Sequence, residues 1–194
     1  MKNFLFLFLV LTICSSCVKE YQPFLDDTAQ KKDDFIEYKI PAGSHYSLQS
    51  EIKEIRDSSM FFEVKFDSSA IYKNIDALNQ YDVNKLYGFT EGPDPHYNSA
   101  RLGWSYNEGE LRLYAYVYKN KILTIEEMTT VVIDKTIKCS IIANAGYYQF
   151  SVNGKQLKLE RAQISMPLKR FQQYPYFGGD ETAPHPISIK IKHL

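Results

Sequence analysis

Cysteine is scarce in this chain of 194 residues, which contains only three. Cys14 and Cys17 fall in a short N-terminal leader, so Cys139 is left without a partner and a disulfide framework is excluded. Cys139 alternates with Ile137 and Ile141, which predicts a buried, small apolar side chain rather than a reactive thiol.

An excess of one charge is also lacking, because 23 Lys and Arg residues balance 23 Asp and Glu residues. There is no polybasic block, which excludes nucleic-acid binding as a function class. Neither His96 nor His185 lies in an HExxH motif, and we predict no zinc site.

The only long apolar run is at the N-terminus, where Lys2 precedes apolar residues 4–13 and Ser15-Ser16 precede Cys17. The run is too short to span a bilayer, and the pattern predicts a signal peptide over residues 1–17. It resembles bacterial lipoprotein signals, although Cys14 stands where Leu is usual. That resemblance implies that Cys17 becomes the acylated N-terminus and anchors the protein to a membrane.

Residues 18–34 are mostly polar, contain Pro23 and show no sustained period, which predicts a flexible tether. Val18-Lys19-Glu20 resembles the export signal that sends some Bacteroidota-type lipoproteins to the cell surface. We therefore expect a bacterial outer-membrane lipoprotein, and both the periplasmic and the surface-exposed face remain open.

From residue 35 onward apolar residues recur at every second position, which is the period of a β-strand. The clearest runs have Phe62, Val64 and Phe66, and later Ile187 and Ile189, on one face. Strands of this kind cover a core from one side only. The pattern predicts a single all-β domain over residues 35–194, with at most one short helix, within residues 71–84.

Turn residues lie between these runs, at 107–109, 144–146 and 153–154. Asn153-Gly154 favours a type I′ hairpin turn inside the segment 147–161. That segment resembles hairpins of concanavalin-like and laminin-G-like jelly rolls. We therefore predict an antiparallel two-sheet sandwich of jelly-roll type.

One predicted ribbon, residues 104–118, is apolar or aromatic on both faces. In a sandwich only one face can point to the core. If the aliphatic residues point inward, Arg112, Tyr114, Tyr116 and Tyr118 form an outer row that Trp104 or Tyr106 extends, and the rings can stack on sugars. The alternative is that the tyrosines themselves belong to the core, since tyrosine is favoured in strands.

Two loops are rich in functional residue types. Residues 88–101 bring His96 and Arg101 close to the ribbon, and Arg101 could contact a carboxylate or sulfate on an acidic sugar or pair with an acidic neighbour. Residues 174–186 contain Gly178-Gly179-Asp180-Glu181. This corner offers oxygen ligands to calcium but lacks the spacing of a recognisable calcium loop, so we predict no cofactor and leave calcium as an alternative.

The segments HYNSARLGWSYNEGELRLYAYVY and YPYFGGDETAPHPISIKI resemble an uncharacterised group of Bacteroidota-type lipoproteins over residues 81–191. The chain departs from the pattern of that group at Pro186, where an acidic residue is common. The resemblance implies a shared β-sandwich and no known reaction.

Three functions fit these observations. The first is an envelope-anchored, non-catalytic carbohydrate-binding module that uses Arg101, Trp104, Tyr106, Arg112, Tyr114, Tyr116, Tyr118 and His96. The second is a structural or protein-binding envelope lipoprotein, whose partner the sequence does not identify. The third is a polysaccharide-cleaving enzyme, either a hydrolase with paired carboxylates or a lyase using His96, Tyr106 and Arg101. The sequence favours a non-enzymatic role.

Overall fold

The computed structural model describes residues 34–164 and 169–194, which form twelve antiparallel strands. The predicted signal peptide, Cys17 and nearly all of the predicted tether lie outside the described residues. The strands are β1 (Ile36–Ile40), β2 (Glu54–Ile55), β3 (Ser59–Phe66), β4 (Asn84–Glu91), β5 (Ser99–Asn107), β6 (Glu110–Lys119), β7 (Ile122–Val131), β8 (Ile137–Ala143), β9 (Tyr147–Val152), β10 (Lys155–Glu160), β11 (Arg170–Gln173) and β12 (Ile187–His193).

The strands form two six-stranded sheets. The first sheet has the order β1-β12-β3-β8-β9-β10, and the second has the order β2-β11-β4-β5-β6-β7. Their inner faces pack through aromatic contacts, including Phe62 on Tyr87 at 5.1 Å and Phe66 on Trp104 at 5.5 Å between ring centroids. The predicted all-β, antiparallel two-sheet sandwich is confirmed.

Alternation along the strands fixes the core as expected. Phe62, Val64 and Phe66 of β3 and Ile187 and Ile189 of β12 are all at most 1% exposed. Each of these side chains faces the other sheet, while the intervening polar residues face solvent, as the period of two requires.

The predicted hairpin turn joins β9 to β10. Asn153 has φ 49° and Gly154 has φ 88°, so both central residues occupy the left-handed region that a type I′ turn requires. Glycine accommodates this region without a steric penalty, which explains why the chain reverses at this point.

The segment between β3 and β4 forms two short 3-10 helices, Ser68–Ala70 and Leu78–Tyr81. Ile75 is 97% exposed and Leu78 is 80% exposed, so these two side chains point away from the core, whereas Ala70 and Tyr72 of the same segment are buried in it. Within residues 34–164 and 169–194, no helix has the length and hydrophobicity needed to cross a bilayer.

Candidate functional site

The ribbon formed by β5 and β6 presents its aliphatic face to the core. Leu111, Leu113, Ala115 and Val117 are at most 2% exposed and belong to the core between the sheets. The alternate residues of β6 therefore lie on the outer face of the second sheet. This is the orientation that the carbohydrate-binding hypothesis requires.

The tyrosines on this outer face are nevertheless well covered. Tyr116 is only 4% exposed and Tyr114 is 9% exposed. Tyr116 contacts the ring of Tyr118 at 5.9 Å, and Tyr118 meets the ring of His96 edge-on at 5.1 Å. His96, Tyr118 and Tyr116 thus form a continuous line of rings from the 92–98 loop onto the sheet.

Arg101 lies opposite Tyr116 in the β5–β6 register. Its guanidinium carbon is 5.6 Å from the Tyr116 ring centroid, and Nη2 donates to the carbonyl of Pro95 at 3.0 Å and to Oγ of Ser99 at 3.3 Å. Gly88 leaves the space for this close packing, because a Cβ there would lie 2.5 Å from the Arg101 Cα. Arg101 is thereby fixed on the sheet at 4% exposure.

Lys85 lies beside Arg101 on the same outer face. A register shift between Lys85 and Tyr87 marks a bulge in β4, and such a bulge re-aims side chains. Lys85 Nζ is 4.5 Å from the ring centroid of Tyr176 and 5.8 Å from that of Tyr116. These are distances typical of cation–π contacts.

No acidic side chain among the described residues pairs with either cation. The ion pairs in this part of the chain use other lysines and arginines. Burial and then the charge of Arg101 lower the pKa of Lys85 to about 8. Burial likewise lowers the pKa of Arg101 to about 10. The expected alternative, in which Arg101 pairs with an acidic neighbour, is therefore not seen in the described residues.

A cavity of about 530 Å³ opens next to these two cations. The loop residues Pro93, Pro95 and His96 border it on one side, and β11 and the segment preceding β2 border it on the other. Its aromatic wall consists of Tyr46, Phe171, Tyr174 and Tyr176, and Gln172 and Gln173 add amide groups. Aromatic walls with a few polar groups are typical of small-molecule and sugar sites.

Tyr176 is held at this cavity by residues from two other parts of the chain. Its amide donates to the carbonyl of Lys85, and the amide of Lys85 donates to the carbonyl of Tyr176, both at 2.9 Å. The ring stacks on His45 at 5.3 Å and meets Tyr46 edge-on at 4.9 Å. The cavity wall is therefore fixed by backbone bonds rather than by side-chain packing alone.

The expected outer placement of Trp104 is corrected by the structure. Trp104 is fully buried and packs between the sheets against Phe66, Tyr72 and Phe177. Tyr106 is only partly buried but also packs on the core side. Both residues pair with inward-facing positions of β6 in the register, so alternation places them on the face opposite Arg101.

Arg112 and Tyr114 lie on the outer face but away from the cavity lining. Arg112 contacts Glu108 at 2.9 Å, Glu110 at 3.0 Å and Glu127 at 3.1 Å. These carboxylates neutralise its charge and leave little attraction for an anionic ligand. The hydroxyl of Tyr114 is 3.0 Å from Oγ of Ser105.

The Gly-Gly-Asp-Glu corner has a structural task. The Glu181 carboxylate accepts the backbone amides of Ile75 and Asp76, both at 2.8 Å, and the side-chain amide of Asn79 at 3.0 Å. In the described part of the chain, no three His, Cys, Asp or Glu side chains are grouped closely enough to hold a metal ion.

Sequence reasoning missed Lys85 and Tyr176. Lys85 looks like an ordinary solvent-facing strand residue in the pattern Asn84-Lys85-Leu86. A signal was present, since the two consecutive apolar residues that follow it break the alternation and are compatible with a bulge. The pairing of Lys85 with Tyr176 depends on long-range contacts and has no local signature.

Comparisons with known proteins bear on the fold. Neither a protein-family model nor a curated protein sequence matches this chain. Among solved structures, alginate lyase AlyC3 is similar at a TM-score of 0.58, with 11% identity over 84% of this chain and 74% of that one. The catalytic domain of an endo-1,3-β-glucanase (laminarinase) from Thermotoga petrophila has a TM-score of 0.55 at 11% identity, over 84% and 76% of the two chains.

An alginate lyase from Pseudomonas aeruginosa is similar at a TM-score of 0.52, with 12% identity over 85% of each chain. At such low identity these likenesses establish the jelly-roll sandwich and leave activity open.

Proposed function

We propose that this protein binds a polysaccharide in the cavity on the outer face of the second sheet, and that it does so without cleaving it. The observation that carries the proposal is the cavity wall, where Tyr46, Phe171 and Tyr176 present rings beside Lys85 and Arg101. Aromatic rings supply flat apolar faces for sugar rings, while amides and cations supply hydrogen bonds to hydroxyl groups.

The fold supports this proposal by analogy. Two of the similar structures are lyases named for alginate and one is named for a 1,3-β-glucan. One further structure of the lyase AlyC3, at a TM-score of 0.54, is a complex with dimannuronate. These similar proteins act on or hold glycans, and by analogy we assign the outer-face cavity of this chain to a sugar chain.

Substitution of Tyr46 tests the proposal. Tyr46 is 66% exposed, so Tyr46→Ala should leave the thermal midpoint near that of the wild type. Retention on the polysaccharide bound best in a panel should weaken about tenfold, since losing an aromatic anchor typically costs on the order of 1–2 kcal/mol. The matched control is Tyr81→Ala, which removes a ring that is 60% exposed and lies outside the cavity lining.

Two results would contradict this proposal. If no polysaccharide in the panel is retained, the function is not glycan binding, and the structural or protein-binding alternative gains support. If new reducing ends or unsaturated products appear during incubation, the protein is an enzyme rather than a binding module. The panel is run with and without a chelator, because the proposal includes no calcium.

We further propose that the sandwich is attached to the bacterial outer membrane by lipid on Cys17, as in the lipoprotein group that the sequence resembles. The support is the sequence pattern of Lys2, the apolar run and Ser15-Ser16 before the cysteine. Cys17→Ser should move the protein from the membrane to the soluble fraction when cells are fractionated. Unchanged fractionation of this variant would disprove the anchor.

A further inference from the structure

We infer that the cavity recognises a carboxylate, that of a uronic acid residue in an acidic polysaccharide, and that Lys85 and Arg101 bind it. This inference deepens the proposed function and rests on it. It specifies that the bound sugar is acidic, whereas the proposed function does not distinguish acidic from neutral sugars.

The first argument is the missing counter-charge. Three of the other described arginines are partly buried, and Arg112, Arg161 and Arg170 each contact a carboxylate. Arg101 is more deeply buried than these, and no carboxylate among the described residues reaches it. An unpaired buried charge is costly, so a site that retains one is suited to an anion supplied from outside.

The second argument is unused hydrogen-bonding capacity. Arg101 is 4% exposed, and to described residues only its Nη2 donates. Its Nε is buried without a partner. Lys85 Nζ donates to no described residue and contacts only the faces of Tyr176 and Tyr116. The two side chains both line the cavity, so together they offer several free donors to one anion.

The third argument concerns the shape of the ligand. The cavity of about 530 Å³ has a volume typical of small-molecule sites. Its cations lie against tyrosine rings rather than on an open basic surface. A sugar ring that bears a carboxylate matches both features, because the ring can stack on Tyr46, which is 66% exposed, while the carboxylate meets the cations.

The titratable groups around Lys85 determine how ligand binding should depend on pH. Arg101 from β5, Tyr116 from β6, Tyr176 before β12 and His96 from the 92–98 loop face this region. Glu51, which is exposed, also lines the cavity. Burial and the charges of Arg101 and Lys85 lower the pKa of His96 below its ordinary value, against a smaller opposing effect of Asp94. Burial raises the pKa values of Tyr116 and Tyr176 above their ordinary value.

Lys85 is therefore the cation that titrates near neutrality. A bound carboxylate favours its charged form, so binding is strongest below the free-state pKa of about 8 and weakens as the pH rises through that value. A neutral sugar should show no such loss.

The test compares three probes: a soluble polyuronate, the same polymer after chemical reduction of its carboxyl groups, and a neutral β-glucan. Lys85→Met should weaken polyuronate binding about tenfold or more, as expected for losing a charge-assisted contact. The same substitution should not change the affinity for the carboxyl-reduced polymer. Lys85→Arg should restore binding and remove its decline between pH 7 and 9.5. The control is Lys190→Met on the exposed face of β12.

The outcomes separate the inference from the proposed function. If the reduced polymer or the neutral glucan binds as tightly as the polyuronate, the uronate assignment is wrong and glycan binding stands. A sulfated galactan that binds in place of the polyuronate would also overturn the assignment. If none of the polymers binds, both the uronate assignment and the proposed glycan binding are wrong. Thermal midpoints of all variants show whether a loss of binding reflects unfolding.

Discussion

At the scale of single residues, Glu91 shows how strongly context decides the role of an acidic side chain. Its carboxylate accepts the hydroxyl of Tyr148 at 2.6 Å, Nε and Nη2 of Arg161 at 2.8 and 2.7 Å, and Nε and Nη2 of Arg170 at 3.1 and 3.0 Å. Tyr148 belongs to the first sheet and Arg170 to the second. Glu91 therefore ties the two sheets together at one end of the sandwich.

Removing this charge should be strongly destabilising. Glu91→Gln leaves two arginines facing an uncharged amide in a buried site, and breaking such a network typically costs about 3–5 kcal/mol. Urea unfolding followed by tyrosine and tryptophan fluorescence measures the loss. The control is Glu160→Gln, whose partner Lys119 is on the surface, and its midpoint should remain that of the wild type. A Glu91→Gln protein as stable as the wild type would contradict this role.

Glu91 should also make the stability of the fold decrease at acidic pH. Burial raises the pKa of Glu91, but the hydrogen bonds of Arg161 and Tyr148 and the charges of both arginines outweigh burial and lower it below its ordinary value. A depressed pKa in the folded state contributes stability above the unfolded value near 4.5. That stability is lost as the pH falls through the folded-state value, and Glu91→Gln should flatten this part of the stability profile.

At the scale of secondary-structure elements, alternate residues of the β5–β6 ribbon face in opposite directions, one set toward the core and the other toward the outer face of the sheet. Trp104 and Leu113 face the first sheet, whereas Arg101 and Tyr116, paired in the same register, face outward. Because successive side chains alternate, a shift of one residue in this register would exchange the two sets. Gly88, which allows β4 to approach β5 closely at Arg101, therefore influences the position of Arg101 as well as the fold.

Substitutions on the two faces of this ribbon should have opposite signatures. Trp104→Ala removes a fully buried ring and should lower the free energy of unfolding by about 3–5 kcal/mol. Tyr118→Ala removes a half-buried ring on the outer face and should cost far less stability. It should reduce glycan retention, because Tyr118 packs against His96, which lines the cavity. Thermal denaturation and the polysaccharide panel together measure both. Loss of retention without loss of stability in the Trp104 variant would reverse the assignment of the two faces.

At the scale of the whole molecule, the cavity is assembled from segments that are distant in the sequence. Tyr46, Lys85, Arg101 and Tyr176 come from four separate stretches. Pairing of β4 with β5 places Lys85 and Arg101 in adjacent strands, and the bridges from Tyr176 to Lys85 and to Tyr46 bring in the other two stretches. Lys85 and Arg101 therefore meet at the cavity only because the fold brings these separate stretches together.

The sequence alone determined the all-β class, the strand period, the hairpin turn at Asn153-Gly154 and the burial of Cys139. These features depend on local sequence, because a few consecutive residues determine strand alternation and turn conformation. Of the site residues that the sequence predicted, Arg101 and His96 line the cavity, whereas those of the ribbon 104–118 do not. The sequence could not separate a core tyrosine from a surface tyrosine, because both faces of the ribbon are apolar.

Only the tertiary structure decided which face of that ribbon is buried, that Trp104 belongs to the core, and that Lys85 and Tyr176 line a cavity beside Arg101. It also decided that Glu91 pairs with Arg161 and Arg170 while Arg101 has no acidic partner in the described chain. The physical reason is that burial and charge pairing depend on the residues that long-range strand order brings into contact. No local pattern records those neighbours.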